Sequence, residues 1–298
     1  MLAMLPRNLV GLYGPESQAW RLNREATLLL GAGPRALLMQ IAHPLVAEGV
    51  AQHSQFQADP WHRLRATLRS YLTIVYGTTE EARAEIGRLN RFHQAVSGPV
   101  RDPQAIATFG PTYSARDPEL SLWVHATLID ATLVVQERWI GPLAEHDRAT
   151  FYDETRPIGR AFGVPEALLP ADIGAFDAYL AAMIGQDGPV QVGPTARELA
   201  ESILRPPLGP LHPRLAGVPA GLYAWTMAPA VALLPARIRA GYGLPWGLSQ
   251  RLAAGWLSLG YRAWRPLVPS SIRTMPWARR ADARLAQAHL VQARLAGS

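Results

Sequence analysis

Between residues 81 and 96 the apolar positions Ala82, Ile86, Leu89 and Val96 recur at steps of three and four, and His93 falls in the same stripe. That period describes a helix with one face toward a core. Thr78 and Glu81 form a capping box at its start, and the helix is expected to end near Gly98. Before it, Asp59-Pro60 supplies an N-cap and a proline at the first helical position. Leu64, Leu68, Tyr71, Leu72 and Val75 follow at helical spacing until Gly77 stops the run. Asp117-Pro118-Glu119 opens a third helix from Leu120 to about Trp139, apolar nearly all round and therefore central. Further helices are predicted at about 17–30, 34–42, 145–162, 171–185, 196–204, 219–241, 246–263 and 276–296.

No alternating strand pattern, internal repeat or low-complexity segment breaks this reading, so the predicted class is all-α. The expected architecture is one large helical domain over residues 1–298, globin-like in packing style, enclosing a cofactor pocket and covered by its C-terminal helices. The Pro/Gly-rich stretch Gly188–Pro219 is the one place where a cofactor-holding part and a covering part could be separated.

Composition narrows the chemistry. The chain is 49% hydrophobic and 17% charged, which excludes disorder. It has no cysteine, so disulfides, iron–sulfur clusters, thiol catalysis and thiolate-ligated haem are excluded. All 29 basic residues are arginine, which removes Schiff-base chemistry and the P-loop lysine. The net charge of +6 is spread along the chain without interleaved stacking aromatics, so no nucleic-acid partner is expected. The N-terminus lacks a signal-peptide pattern, which makes a cytoplasmic location the expectation. The uncharged run Leu215–Ala236 is long enough to cross a bilayer, but three prolines and two glycines suit a broken buried helix better. Peripheral membrane contact is the corresponding expectation.

The candidate chemistry lies in the first half. A histidine on a buried stripe must have its ring nitrogens satisfied, so His93 is either a well-partnered core residue or an axial metal ligand. His43 and His53 flank a turn with a spacing that matches no zincin motif, and each reads as a capping or core-polar residue or as lining of a cofactor pocket. Arg63 and Thr67 lie four apart and share a helix face, where they can bind an anion or polarise dioxygen, or belong to a surface network with Arg65 and Arg69. His125, Thr127, Asp130 and Thr132 interrupt the central apolar helix and must pair with one another or with a substrate or cofactor. Glu48 is the nearest acidic residue if a general base is required. Residues 31–36 fit GxGxxA, yet no βαβ context follows, and a helix-to-helix turn with Pro34 at the first helical position is the simpler reading.

Taken together, His-Pro-Leu-Val-Ala-Glu-Gly-Val-Ala-Gln-His-Ser-Gln-Phe-Gln-Ala-Asp-Pro (43–60), Arg-Leu-Arg-Ala-Thr-Leu-Arg (63–69), Tyr-Gly-Thr (76–78), His-Gln-Ala-Val-Ser-Gly (93–98) and Tyr-Ser-Ala-Arg-Asp-Pro-Glu-Leu with Trp-Val-His-Ala-Thr-Leu (113–128) resemble one family in order and spacing. It is the MpaB-type and rubber oxygenase catalytic-domain family, which includes latex clearing proteins. The resemblance covers about residues 13–190 and continues more loosely through 233–244. It implies an all-helical fold holding haem b, with His93 as proximal iron ligand, Arg63 and Thr67 as the distal pair, and His125, His43 and His53 near the cofactor. It also implies a small apolar substrate, dioxygen and an electron donor that no motif identifies. Where rubber oxygenases carry a lysine able to cap the distal iron, this chain has Ala66, which predicts an open or differently capped distal side. The alternative function is a haem- or lipid-binding helical protein without turnover.

Overall fold

The computed structural model describes residues 7–54, 60–205 and 227–296. Its helices, in chain order, are Arg7–Val10 (α1), Gln18–Leu22 (α2), Leu28–Ile41 (α3), Pro44–His53 (α4), Pro60–Tyr76 (α5), Thr79–Gln94 (α6), Pro103–Phe109 (α7), Pro118–Val135 (α8), Glu145–Ala161 (α9), Ile173–Ile184 (α10) and Pro194–Leu204 (α11). Then follow Ala228–Ala232 (α12), Ala236–Gly241 (α13), Leu248–Trp264 (α14), Ser270–Arg273 (α15) and Pro276–Ala296 (α16). The class is all-α. The one sheet among the described residues pairs Ser97–Pro99 (β1) with Thr112–Ser114 (β2), antiparallel, with Gly98 opposite Tyr113.

Local chemistry starts the main helices. Asp117 accepts from Glu119 N and Pro118 follows it, opening α8. Thr78 accepts from Glu81 N while the Glu81 side chain accepts from Thr78 N, the capping box of α6. The cap of α5 at Asp59 lies outside the described residues.

Helix α8 is buried around most of its circumference, including Leu122, Trp123, Ala126, Ile129, Leu133 and Val135. Its most extensive helical neighbour is α3. A large apolar cluster joins α3, α4, α8, α9, α10 and α11, and a second joins α2, α3, α5, α8 and α16. Three of the polar groups of α8 are satisfied structurally: Thr127 and Thr132 donate to the carbonyls of Val124 and Leu128, and Asp130 is ion-paired with the buried Arg35 of α3. Arg35 Nε also donates to the Leu233 carbonyl at 3.0 Å, tying α3 to the region after α12.

Several expectations are corrected. The predicted turn at 31–33 is absent: α3 runs through Pro34 without a break. Gly31 lets α3 press directly on Trp139 and Val135, so tertiary contact holds the helix through a residue that removes one backbone donor. Residues 44–53, read as a turn flanked by His43 and His53, form helix α4. The helix expected over 219–241 is broken at Pro235 between α12 and α13, while the first part of that segment, with residues 215–226 of the uncharged run, lies outside the described residues. Among the described residues, no helix is long and apolar enough to cross a membrane.

Candidate functional site

Helices α5 and α6 form a hairpin closed by Gly77 and Thr78, so the start of α5 faces the end of α6. Gly77 is required there, because a Cβ would lie 2.5 Å from the Thr73 carbonyl oxygen. Arg63 projects from the first turns of α5. Its Nε donates to Ser54 Oγ at 3.1 Å and its Nη1 to Thr67 Oγ1 at 2.7 Å. Thr67 in turn donates to the Arg63 carbonyl at 3.0 Å. With its proton engaged there, Thr67 positions the guanidinium, which keeps Nη2 and one Nη1 hydrogen for a further acceptor. Arg63 therefore does not belong to the exposed set of Arg65 and Arg69.

His93 sits near the end of α6, half-buried, between the rings of Phe92 and Phe162 at centroid distances of 5.9 and 6.2 Å. Phe162 is brought there because Asn90 donates to the Ala161 carbonyl at 2.8 Å, docking α6 on the end of α9. Burial, and then the nearby Arg63 charge, hold the His93 imidazole below its ordinary pKa. It is thus less deeply buried than its stripe predicts, and neutral at pH 7. Its ring forms no hydrogen bond with the described residues, which leaves a nitrogen lone pair available.

His125 is fully enclosed between α8 and α9. Burial lowers its pKa to about 4, with a hydrogen bond to the Thr155 backbone opposing, so it is neutral at pH 7. Its Nε2 is buried without a partner among the described residues. The space beside it is closed, however: a Cβ on Gly159 would lie 3.1 Å from His125 Cδ2, 3.4 Å from Nε2 and 3.0 Å from Leu169 Cδ2.

The other anticipated residues lie elsewhere. His43 is the N-cap of α4, its Nδ1 accepting from Leu45 N at 3.3 Å and its ring lying 5.2 Å from that of Phe109. His53 is exposed, with Nε2 3.0 Å from the Ser97 carbonyl. Glu48 is 1% exposed; its Oε2 accepts from Arg101 Nε at 2.9 Å and Gln52 Nε2 at 2.8 Å, and its Oε1 from Thr195 at 3.1 Å. Burial pushes that carboxyl up, but these donors outweigh it and hold the pKa below the usual value. Action as a base would require Glu48 to release one of these bonds.

The structure thus brings together Arg63, Thr67 and His93, whereas Glu48 and His43 are engaged in other contacts and His125 is packed against Gly159 of α9. Ser54, Phe92 and Phe162 complete the group without having been singled out. Ser54 lies in the quoted motif, whereas Phe162 is distant in sequence and carries no signal there.

Beside this group, between α5 and α6, opens a cleft of about 470 Å³ lined by His62, Arg65, Ala66, Arg69, Ser70, Glu85 and Arg88. Arg88 is paired with Glu85 at 2.6 Å, and Arg65 and Arg69 leave the lining cationic. Ala66 opens onto this space, where a longer residue would fill it. Among the described residues no group of three or more His, Asp and Glu side chains could hold a bare metal ion. A single imidazole opposite a pinned cation is instead a donor set that suits an iron held by a macrocycle.

Two curated relatives, uncharacterized proteins of Mycobacterium bovis and Mycobacterium tuberculosis, are each 29% identical over 238 residues, covering 78% of this chain and 87% of theirs. No solved structure matches the chain. Residues 20–269 match the family model described as ER-bound oxygenase mpaB/B'/Rubber oxygenase, catalytic domain. The span takes in the whole α5–α6 hairpin and the helices that support it, and the chain belongs to this oxygenase catalytic-domain family.

Proposed function

We propose that the chain is a haem b-dependent oxygenase or oxidoreductase acting on a small apolar molecule with dioxygen, by oxidative cleavage of a carbon–carbon double bond. The observation that carries the reading is the neutral imidazole of His93 within electrostatic reach of the pinned Arg63 guanidinium, in a chain of an oxygenase family. His93 would hold the haem iron. The cationic cleft on the same hairpin suits carboxylates such as haem propionates.

When bound, haem supplies a redox-active iron for dioxygen activation. The chain's own part is binding and orientation. Ser54 and Thr67 fix the guanidinium, whose remaining N–H groups stabilise negative charge developing on a reacting oxygen. Phe92, 49% exposed, and Phe162 offer apolar surface beside His93 for an apolar ligand.

A second reading has one observation in its favour. His125 has a partnerless Nε2 and a ring hydrogen-bonded to the Thr155 backbone, the kind of support that fixes a metal-ligating histidine, so it would hold the iron if α9 moved away at Gly159 to make room. Absorption spectra of protein expressed with haem precursor decide between them. A Soret band that survives His125→Ala and collapses or shifts in His93→Ala supports the reading; the reverse pattern assigns His125, and no band in the wild type defeats haem binding altogether. Dioxygen uptake with an apolar alkene, absent in Arg63→Ala with the band retained, separates an oxygenase from a haem carrier.

A further inference from the structure

Helix α14 turns its apolar side outward. Its inner side is fixed by buried Ala254 and by Tyr261, stacked on Trp139 with ring centroids 4.9 Å apart and planes 4° from parallel. At 100° per residue, Leu248, Leu252, Trp256 and Leu259 fall together on the face opposite Ala254. They are 73%, 53%, 74% and 61% exposed. Exposed Trp264, Leu267 and Ile272 continue the apolar surface past the end of the helix. Scattered apolar residues on a surface need no explanation, but a ridge of large ones along a whole helix marks a contact site.

The charge around the ridge says what covers it. Arg251 and Arg262 flank it on one side, exposed and making no ion pair with the described residues. From Ser202 to Ala281 the chain carries ten arginines and no Asp or Glu. A second copy of the same face would set arginine rim against arginine rim, which is repulsive. An anionic bilayer satisfies every part of the surface: leucines enter the acyl boundary, tryptophan rings take the headgroup level, and guanidinium groups meet lipid phosphates.

We infer that α14 and the turns after it form a peripheral docking surface for a membrane rich in anionic phospholipid. The helix would lie along the interface over roughly 25 Å. This inference does not depend on haem or on the oxygenase reaction, and its test reads neither.

Full-length protein is co-sedimented with vesicles of phosphatidylcholine alone and of phosphatidylcholine mixed with phosphatidylglycerol, at low and high salt. Binding that requires phosphatidylglycerol and weakens with salt is expected. The double variant Trp256→Ser, Leu259→Ser should lower the bound fraction about tenfold or more. Because both positions are exposed, its circular dichroism and Tm should match the wild type. Quenching of tryptophan fluorescence by brominated lipid should fall in Trp256→Phe, placing that ring in the bilayer. Failure of the wild type to bind anionic vesicles, or equal binding by the double variant, overturns the proposal. So does a solution dimer that the double variant dissociates without any vesicle binding, which would give the face to a second copy.

Discussion

The imidazole of His43 caps α4 by accepting from Leu45 N, and that bond requires an unprotonated Nδ1. Burial lowers its pKa to about 4, with the Asp117 charge opposing. In the unfolded chain a histidine titrates near 6.5, so between about 6.5 and 4 the unfolded state binds the extra proton and stability falls as pH drops, by at most about 1.4 kcal/mol per pH unit. Above about 6.5 the contribution is fully present. His43→Asn keeps a side-chain acceptor at the cap and removes the proton. Urea unfolding across this range should show a flatter pH dependence for the variant, with a loss at pH 7 of about 1–2 kcal/mol from the ring's packing on Phe109. An unchanged slope would mean that His43 does not titrate in this way. Residue type alone did not separate His43 from His93; the difference lies in what each nitrogen touches.

At the scale of elements, α3 carries two glycines with different consequences. A Cβ on Gly31 would lie 2.5 Å and 2.8 Å from ring atoms of Trp139 and 2.9 Å from Val135 Cγ2, whereas one on Gly33 would meet no other element within 4 Å, only the adjoining Pro34 of its own helix. Trp139 cannot yield, because it is buried and stacked on Tyr261. Overpacking costs about 1–3 kcal/mol, which exceeds the roughly 1 kcal/mol by which alanine is the better helix former. Gly31→Ala should therefore be destabilised by about 1–2 kcal/mol, and more than Gly33→Ala, where the helix propensity gained is opposed only by crowding of the new Cβ against the Pro34 ring that follows; denaturant melts will show the difference. The same contrast explains what was legible in the sequence. Starts marked by local chemistry, such as the capping box at Thr78 and the Asp117-Pro118 pair, appear where expected. The continuation of α3 through Pro34 depends on contacts with a helix about a hundred residues away, and β1 and β2 are too short for any alternation to show. At the candidate site, Arg63, Thr67 and His93 were legible because each sits on a periodic helix face, and the sequence could not place Phe162, which arrives through the docking of α9.

Across the whole molecule, the Glu48 carboxylate links segments that the chain keeps far apart. One oxygen accepts from Arg101, just after β1, and the other from Thr195 on α11. Ser54, the C-cap of the same helix α4, accepts from Arg63. Helix α4 is thus held near its middle by the Glu48 network while its C-terminal end orients the guanidinium of the candidate site. Glu48 is held below the usual carboxylate pKa, so its contribution is present above the unfolded value and is lost as pH falls through the lower folded value. This acid window begins below that of His43. Glu48→Gln preserves the shape but removes the charge; Arg101, whose side chain is 58% exposed, stays hydrated, so the loss should be about 1–3 kcal/mol at pH 7. The variant should also lose the steep fall in stability below about pH 4.5. If the residue serves only to place α4, a haem-reconstituted Glu48→Gln protein will keep its Soret position and dioxygen uptake at a temperature where it remains folded. Abolished uptake with an intact spectrum would instead make the carboxylate a participant in the reaction, acting after release from Arg101.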